Sequence, residues 1–207
     1  MNKYDIVFVD IDDTLNPSGE KVTEYTKEVM TKLKDKGIKV VVNTGRSARY
    51  AIEKSKEANL SEYVISSNGS EVYNHETQEV IFNKAIPVDV IKKIYDYVVE
   101  TKMTIILNSI ENRYINTKDY KYNNEPAIYF DDIDKLLEEH EINQLVILSS
   151  NFDRMLVLPH MFKEKYPNLK VVHSSVSLIE EINALATIIA SVADFSLIAR
   201  AVLLFKD

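Results

Sequence analysis

The sequence of 207 residues predicts an α/β fold, a doubly wound parallel sheet into which an α+β domain is inserted. Two observations support this prediction. Short apolar runs rich in β-branched residues alternate with helical patterns over residues 1–69, as is typical of a parallel sheet. After Gly69 the alternation stops, and a hairpin pattern followed by a mixed series of helices and strands replaces it.

The first part begins with a continuous apolar run, Ile6 to Val9, which ends at the carboxylate of Asp10. A run of this kind predicts a strand buried on both faces. Apolar residues then recur at helical spacing over 22–36 until Gly37, which ends the first predicted helix. The other predicted elements of this part are a strand at 38–42, a helix at 47–59 and a strand at 63–66.

The inserted part starts with a predicted hairpin at 71–73 and 79–82. Further helices are predicted at 88–101, 132–140 and 152–165, and further strands at 103–108, 112–116, 144–149, 169–173 and 177–182. The predicted domains are therefore a first core part at 1–82, an α+β domain at 83–183, and a C-terminal segment at 184–207 that is the remnant of the returning core.

Residues 184–205 are almost wholly apolar, and Asp194 and Arg200 are the charged side chains among them. Each of these would cost about 2.5–3.5 kcal/mol near the centre of a bilayer. A buried helix or an interface is therefore predicted in preference to a membrane span. The net charge of −7 without a basic block disfavours nucleic acid as a partner, and the absence of cysteine excludes disulfides and thiolate metal sites. With no signal peptide recognised, the expected location is the cytoplasm.

Three loops that follow the predicted strands carry the residues suited to chemistry. Asp10 and Asp12 follow the first strand, and one carboxylate of such a pair can attack phosphorus while the other moves a proton. Asn43-Thr44-Gly45-Arg46 follows the second strand, where a hydroxyl and backbone N–H groups before a helix can hold a phosphate. Ser67-Asn68-Gly69 follows the third. Since ligands bind beyond the carboxyl ends of parallel strands, the three loops together predict a phosphate site.

The segments DIDDTL, GIKVVVNTGR and YVISSNGSEVYN resemble the haloacid dehalogenase superfamily, and more narrowly its Cof-type sugar-phosphatase-like group with a C2-type α+β cap. The resemblance runs from about residue 3 to about residue 183. It implies a Rossmann-like core and a Mg²⁺-dependent phosphatase that hydrolyses a small phosphate monoester, for example a sugar phosphate, through an aspartyl-phosphate.

The resemblance also implies roles for individual residues. Asp10 would be the nucleophile and a Mg²⁺ ligand, and Asp12 the general acid–base that offers its backbone carbonyl to the metal. Phosphate binding would fall to Thr44, Gly45, Arg46, Asn68 and Gly69, the last two near the substrate entrance. The cap would choose the small phosphorylated metabolite by closing over it.

The sequence departs from the family pattern after Asn183. The family has a lysine and a Gly-Asp loop after the cap, whereas the glycines here are Gly19, Gly37, Gly45 and Gly69. Arg200, Lys206 and Asp194 are the available charges, and none has the expected context. The apparently truncated core would leave Ile6 to Val9 as an exposed apolar edge, which predicts self-association.

Two other functions stay open on the sequence. A truncated, frameshifted or catalytically impaired family member could bind phosphate or a protein partner instead of turning over substrate. A phosphoacceptor domain of the receiver type also uses acid pairs, but it places its acceptor Asp after the third strand, where this sequence has Ser67-Asn68-Gly69. The receiver interpretation is therefore the weakest of the three.

Overall fold

The computed structural model describes residues 4–17, 20–118, 126–174 and 185–191. These residues divide between Asn83 and Lys84 into two compact units. The first unit contains a mixed sheet with helices, and the second a largely antiparallel sheet with helices. The predicted α/β fold class is confirmed.

The first unit has a five-stranded sheet in the order β1-β2-β3-β4-β5. Strands β1 to β3 are parallel, and β4 and β5 add to β3 as an antiparallel hairpin. A single 3₁₀ turn, Ser67–Gly69, joins β3 to β4. The elements are β1 (Ile6–Val9), α1 (Glu24–Asp35), β2 (Lys39–Asn43), α2 (Ala48–Glu57), β3 (Tyr63–Ser66), β4 (Glu71–Asn74) and β5 (Glu79–Asn83).

Helices α1 and α2 both pack against one face of this sheet. Val42 and Val64 lie in one apolar cluster with Ala51 of α2, and Val9 packs against a second cluster together with Met30 of α1. Right-handed crossovers between successive parallel strands that advance in one direction explain this placement. The carboxyl ends of β1, β2 and β3 consequently meet at one edge of the sheet, and the loops that follow them lie there.

Strand β1 is not buried on both faces, so the prediction from its apolar pattern is wrong, whereas the expectation of an exposed apolar edge agrees with the described residues. The side chains of Val7 and Phe8 are 36% and 40% exposed. Within the described ranges β1 pairs only with β2, and α1 has no fully buried residue with which to cover it. A continuous apolar run is typical of a central strand, but the position of β1 at the sheet edge decides its burial.

We propose that this edge promotes self-association. Among the described strands nothing pairs with the side of β1 that faces away from β2, and its N–H and C=O groups can pair with another chain. The chain is expected to sediment as a dimer or larger species at tens of micromolar. Phe8→Lys, which places a charge on a side chain that is already exposed, is expected to shift it to the monomer. Val99→Lys, on an exposed position of the second unit, is the control for added charge. A clean monomer for the unsubstituted chain contradicts the proposal.

The second unit has a six-stranded sheet in the order β10-β11-β9-β6-β7-β8, antiparallel except for the β7–β8 pair. Its main apolar cluster joins one sheet face to α3 and α5 through residues such as Ile94, Leu107 and Leu158. The elements are α3 (Val88–Glu100), β6 (Thr104–Asn108), β7 (Arg113–Ile115), β8 (Ile128–Tyr129), α4 (Ile133–Glu139), β9 (Gln144–Ser149), α5 (Phe152–Lys165), β10 (Leu169–Ser174) and β11 (Leu185–Ser191).

Strand β11 corrects the expectation for the start of the apolar C-terminal segment. Residues 185–191 are not a helix or a remnant of the returning core, since they pair with both β9 and β10 in the second sheet. A short apolar run cannot be told from a buried helix by periodicity alone, and a central strand gives the same pattern. The predicted strand at 177–182, and Asp194, Arg200 and Lys206, lie outside the described residues. Within the described part, none of the helices has the length and hydrophobicity that a membrane span requires.

Candidate active site

The strand register aligns the three predicted loops at one edge of the first sheet. Val9 lies opposite Val42, and Asn43 lies opposite Ile65. The residues that follow these pairs are therefore Asp10, the Thr44 loop and Ser66, all at the carboxyl ends of parallel strands. Ligand sites of open α/β sheets form at this edge.

The loop after β1 is a compact turn that leaves its acidic side chains outside the core. Ile11 and Leu15 are buried, and the Ile11 carbonyl accepts the amides of residues 14, 15 and 16 at 3.0–3.2 Å. Asp13 has a φ of 58°, a left-handed conformation that aspartate tolerates better than most residues. Asp10 is exposed and Asp12 is half-buried. A nucleophile and a proton-transfer group require this arrangement, because both must reach a substrate.

Asp12 and Arg46 form a bidentate ion pair. Arg46 donates from Nε to Asp12 Oδ2 at 2.8 Å and from Nη2 to Asp12 Oδ1 at 2.9 Å. The two side chains are 31% and 26% exposed, so solvent screens the pair only in part. The planar guanidinium matches both carboxylate oxygens and therefore fixes the carboxylate plane as well as its charge. The structure thus places Arg46 on Asp12, a contact that the sequence motif did not predict.

The loop between β2 and α2 is built from backbone hydrogen bonds. Thr44 donates its N–H to the Ile65 carbonyl at 3.0 Å, and its Oγ1 accepts the Arg46 N–H at 3.2 Å. Ser47 is the N-cap residue of α2, but its side chain makes no capping hydrogen bond. The first turn of α2 therefore presents N–H groups and the positive end of the helix dipole on the side of this loop.

The Ser67–Gly69 turn docks onto the same loop. Ser67 donates its N–H to the Arg46 carbonyl at 2.8 Å, and Asn68 donates its N–H to the Thr44 carbonyl at 3.2 Å. A Cβ on Gly45 would lie 3.0 Å from Asn68 Oδ1. Gly45 thus provides the space into which the Asn68 side chain packs. The structure brings Thr44, Gly45, Arg46 and Asn68 together through these contacts.

A second ion pair fixes the segment that follows the acidic loop. Lys54 of α2 is buried, and its Nζ binds Glu57 Oε2 at 2.7 Å and the Glu20 carbonyl at 3.1 Å. Glu57 Oε1 accepts the Val22 N–H at 2.9 Å. Burial alone would raise the pKa of Glu57, but the hydrogen bonds from Lys54 and Val22 outweigh it and lower the pKa. These contacts tie α2 to residues 20–22.

Glu71, the first residue of β4, is a buried carboxyl that the sequence motifs did not single out. Its side chain is fully buried, and burial raises its pKa to about 7 although the hydroxyls of Ser66 and Ser67 favour the ionised form. The folded state therefore favours the protonated acid. The stability from this group is fully present below pH 4.5 and is lost as the pH rises through about 7. Glu71 follows the Ser-Asn-Gly turn after one intervening serine. Only a prediction that its strand position faces inward could have singled it out.

The donor set of the acidic loop fits a magnesium ion bound through few protein ligands. The described residues contain no group of three or more Asp, Glu, His or Cys that could hold a metal. Mg²⁺ is commonly held by one or two carboxylates together with waters and substrate phosphate oxygens. Asp10 is an exposed carboxylate of that kind, and the Asp12 carboxylate is already engaged by Arg46.

Comparison with known proteins identifies the family. The model of the haloacid dehalogenase-like hydrolases matches residues 7–187 of the chain. The chain belongs to this family. The family match includes all three loops at the sheet edge as well as the second unit through part of β11.

Relatives and solved structures agree with this family membership. The chain is 26% identical over 206 residues to a Bacillus subtilis protein named "Putative phosphatase YxeH", an alignment that covers 90% of the chain and 76% of that protein. A haloacid dehalogenase-like hydrolase from Bacteroides thetaiotaomicron superposes with a TM-score of 0.79 at 16% identity, covering 97% of the chain and 76% of that structure. The subclass IIB sugar phosphatase BT4131 gives a TM-score of 0.64 at 21% identity, with 90% and 70% covered. These superpositions support the fold of the family.

Proposed function

We propose that the chain is a Mg²⁺-dependent phosphatase that hydrolyses a small phosphate monoester through Asp10. The single observation that carries this proposal is the Asp12–Arg46 pair, because it holds a proton-transfer group two residues along the chain from an exposed carboxylate at the ligand edge of the sheet. The matching family model and the relative named as a phosphatase support the same reaction type.

In the proposed first step, a carboxylate oxygen of Asp10 attacks phosphorus and forms an aspartyl-phosphate. The bond from phosphorus to the ester oxygen breaks, and the Asp12 carboxyl gives its proton to the leaving alkoxide. In the second step a water attacks the phosphoryl group of Asp10, and Asp12 takes the proton of that water. Phosphate leaves and the Asp10 carboxylate is restored.

The other loop residues would orient the phosphoryl group and stabilise its charge. The backbone N–H groups around Gly45, the hydroxyl of Thr44 and the side chain of Asn68 are the candidate donors to phosphoryl oxygens. Magnesium bound beside Asp10 would neutralise the repulsion between the carboxylates and the phosphate. The guanidinium of Arg46 would hold Asp12 in the orientation in which it can transfer a proton.

The described part of the second unit carries a cluster of buried polar side chains on its sheet. Asn108, Arg113 and Gln144 lie in register on three neighbouring strands, and each is more than nine-tenths buried. Asn108 Nδ2 donates to Gln144 Oε1 at 2.7 Å, while Asn108 Oδ1 has no hydrogen-bond partner. We include sugar phosphates among the proposed substrates because BT4131, which shares the fold, is named a sugar phosphatase.

The experiment is phosphate release from an aryl phosphate and from a panel of sugar phosphates, with Mg²⁺ and then with a chelator. Release that requires Mg²⁺, returns when Mg²⁺ is added back and is faster for sugar phosphates supports the full proposal. Release that is unaffected by the chelator contradicts the role of magnesium. Release that is equal for all monoesters contradicts a sugar-phosphate preference.

A second candidate function is phosphate binding without turnover. Residues 171–207 contain no Gly-Asp pair, and their lasting positive charges are Arg200 and Lys206. Loss of one preorganised charge partner typically lowers a rate by about 10²–10³. A chain that binds inorganic phosphate with Mg²⁺ but releases none from any monoester would favour a phosphate-binding family member.

A further inference from the structure

The Ser67–Gly69 turn holds a conformation that its own sequence does not favour. Ser67 and Asn68 have φ angles of 50° and 58°, and Gly69 follows at 87°. Left-handed conformations are unfavourable for most non-glycine residues, for serine more than for asparagine, and consecutive ones persist only where the surroundings determine them. Something outside the turn must therefore hold it in place.

Glu71 bonds to Ser66, the residue that precedes this turn. Ser66 and Glu71 are directly paired across β3 and β4, and Ser66 Oγ donates to Glu71 Oε2 at 2.5 Å. Ser66, Ser67, Ser70 and Glu71 are all fully buried, and Ser70 Oγ donates to the Ser67 carbonyl at 2.9 Å. The turn is thus held between a buried carboxyl at its base and the loop of Thr44 and Arg46 at its tip.

The carboxyl is in a position to act on the turn directly. Glu71 Oε1 and Ser67 Oγ are both buried, and neither has a partner at hydrogen-bonding geometry, although the Ser67 hydroxyl is close enough to the carboxyl to lower its pKa. An unpaired buried polar atom is costly, so a small rotation that joins them, or a bridging water, is the expected remedy. A bond there would connect Glu71 to the first left-handed residue of the turn.

We propose that Glu71 is a positioning residue for the phosphate loop. Through Ser66 and Ser67 it holds the turn in the conformation that packs Asn68 on Gly45 and keeps the amides of that loop aligned for a phosphoryl group. The part of this inference that concerns phosphate rests on the proposed function. The part that links Glu71 to Gly45 rests on geometry alone.

The described surroundings of Glu71 make its ionisation a usable probe. Burial and the hydroxyls of Ser66 and Ser67 are what act on its charge, and none of the charged side chains of the described residues is among the causes. Ionisation would place a charge in this buried site and strengthen the hydrogen bonds that the carboxylate accepts from the serine hydroxyls. If Glu71 positions the turn, Gly45 and Asn68 will sense this change.

The deciding experiment follows the Gly45 backbone amide and the Asn68 side-chain amide by NMR between pH 5 and pH 8.5. In the unsubstituted chain both resonances are expected to shift with one midpoint near the pKa of Glu71, about 7. Glu71→Gln, which resembles the protonated acid, is expected to abolish that titration and to leave both resonances near their low-pH positions. Glu62→Gln is the matched control and is expected to retain it. Histidine side chains in general change charge between about pH 5 and pH 8, so the titration is repeated with His75→Gln.

The kinetic arm separates positioning from a general structural role. Glu71→Leu is expected to raise KM for a phosphate monoester about tenfold with a smaller change in kcat, and Glu71→Gln to restore KM to within about twofold. Gly45→Ala, which displaces Asn68 directly, is expected to raise KM in the same way.

Resonances of Gly45 and Asn68 that ignore the Glu71 titration overturn the inference. So does an unchanged KM in folded Glu71→Leu. If the unsubstituted chain neither turns over nor binds inorganic phosphate, the proposed function fails. The NMR titration still decides whether Glu71 controls the turn, and it does not require Glu71→Leu to fold.

Discussion

Replacing Asp10 by Asn is expected to lower Mg²⁺-dependent turnover of a phosphate monoester by ~10³-fold or more, to the background of the assay. The amide cannot attack phosphorus, and a removed nucleophile is among the largest losses that a single substitution causes. Asp10 is exposed at the end of β1, so the fold should tolerate the change. Asp12→Asn should behave differently, because it leaves the nucleophile and removes the proton carrier. A slow or trapped phosphoenzyme is expected for it.

Phosphate release and the mass of the acid-quenched protein are the measurements. Asp13→Asn is the matched control, since it removes an equal charge from the same loop and asparagine tolerates the positive φ of that position. The control is expected to keep turnover within a few fold of the unsubstituted chain. Undiminished turnover in Asp10→Asn would refute the assignment of the nucleophile.

Replacing Arg46 by Ala is expected to lower kcat by about 10²–10³-fold, with a smaller effect from Arg46→Lys. The guanidinium binds both oxygens of Asp12, and a lysine offers one point charge in its place. Loss of a preorganised charge partner has effects of this size.

A double-substitution cycle with Asp12→Asn tests whether Arg46 acts through Asp12. Arg46→Ala added to Asp12→Asn is expected to cost much less than Arg46→Ala alone, because residues that act as a unit are not additive. Arg49→Ala, at the exposed second residue of α2, is the control and should change kcat little. Fully additive effects would mean that Arg46 acts on the substrate independently of Asp12.

The first part of the fold could be predicted because local pattern and tertiary position agree there. The run from Ile6 to Val9, the strand ending at Asn43 and the strand ending at Ser66 all lie where the apolar pattern placed them. Their loops follow the parallel-strand rule, so the spacing of acid, hydroxyl and glycine sufficed to group Asp10, Thr44 and Asn68 at one edge.

The features that escaped prediction depend on which neighbour a segment finds. The apolar run of β1 reads the same in a central or an edge strand, so its pattern alone did not predict the exposure of Val7 and Phe8, which the departure from the family pattern after Asn183 did predict. The bond between Arg46 and Asp12 joins residues 34 positions apart, and Glu71 is buried because of its pairing with Ser66. Such facts belong to tertiary structure and have no local signature.

The position of β11 has a consequence for the order in which the chain can fold as it is synthesised. Strand β10 pairs only with β11 among the described strands, and β11 is also the neighbour of β9. A growing chain can form the first sheet early, since its strands are contiguous from β1 to β5. The second sheet cannot be completed before residues 185–191 have been synthesised. Until then, among the described strands, β10 has no partner and one edge of β9 is unpaired. Chains interrupted before that point would present two unsatisfied strand edges to each other.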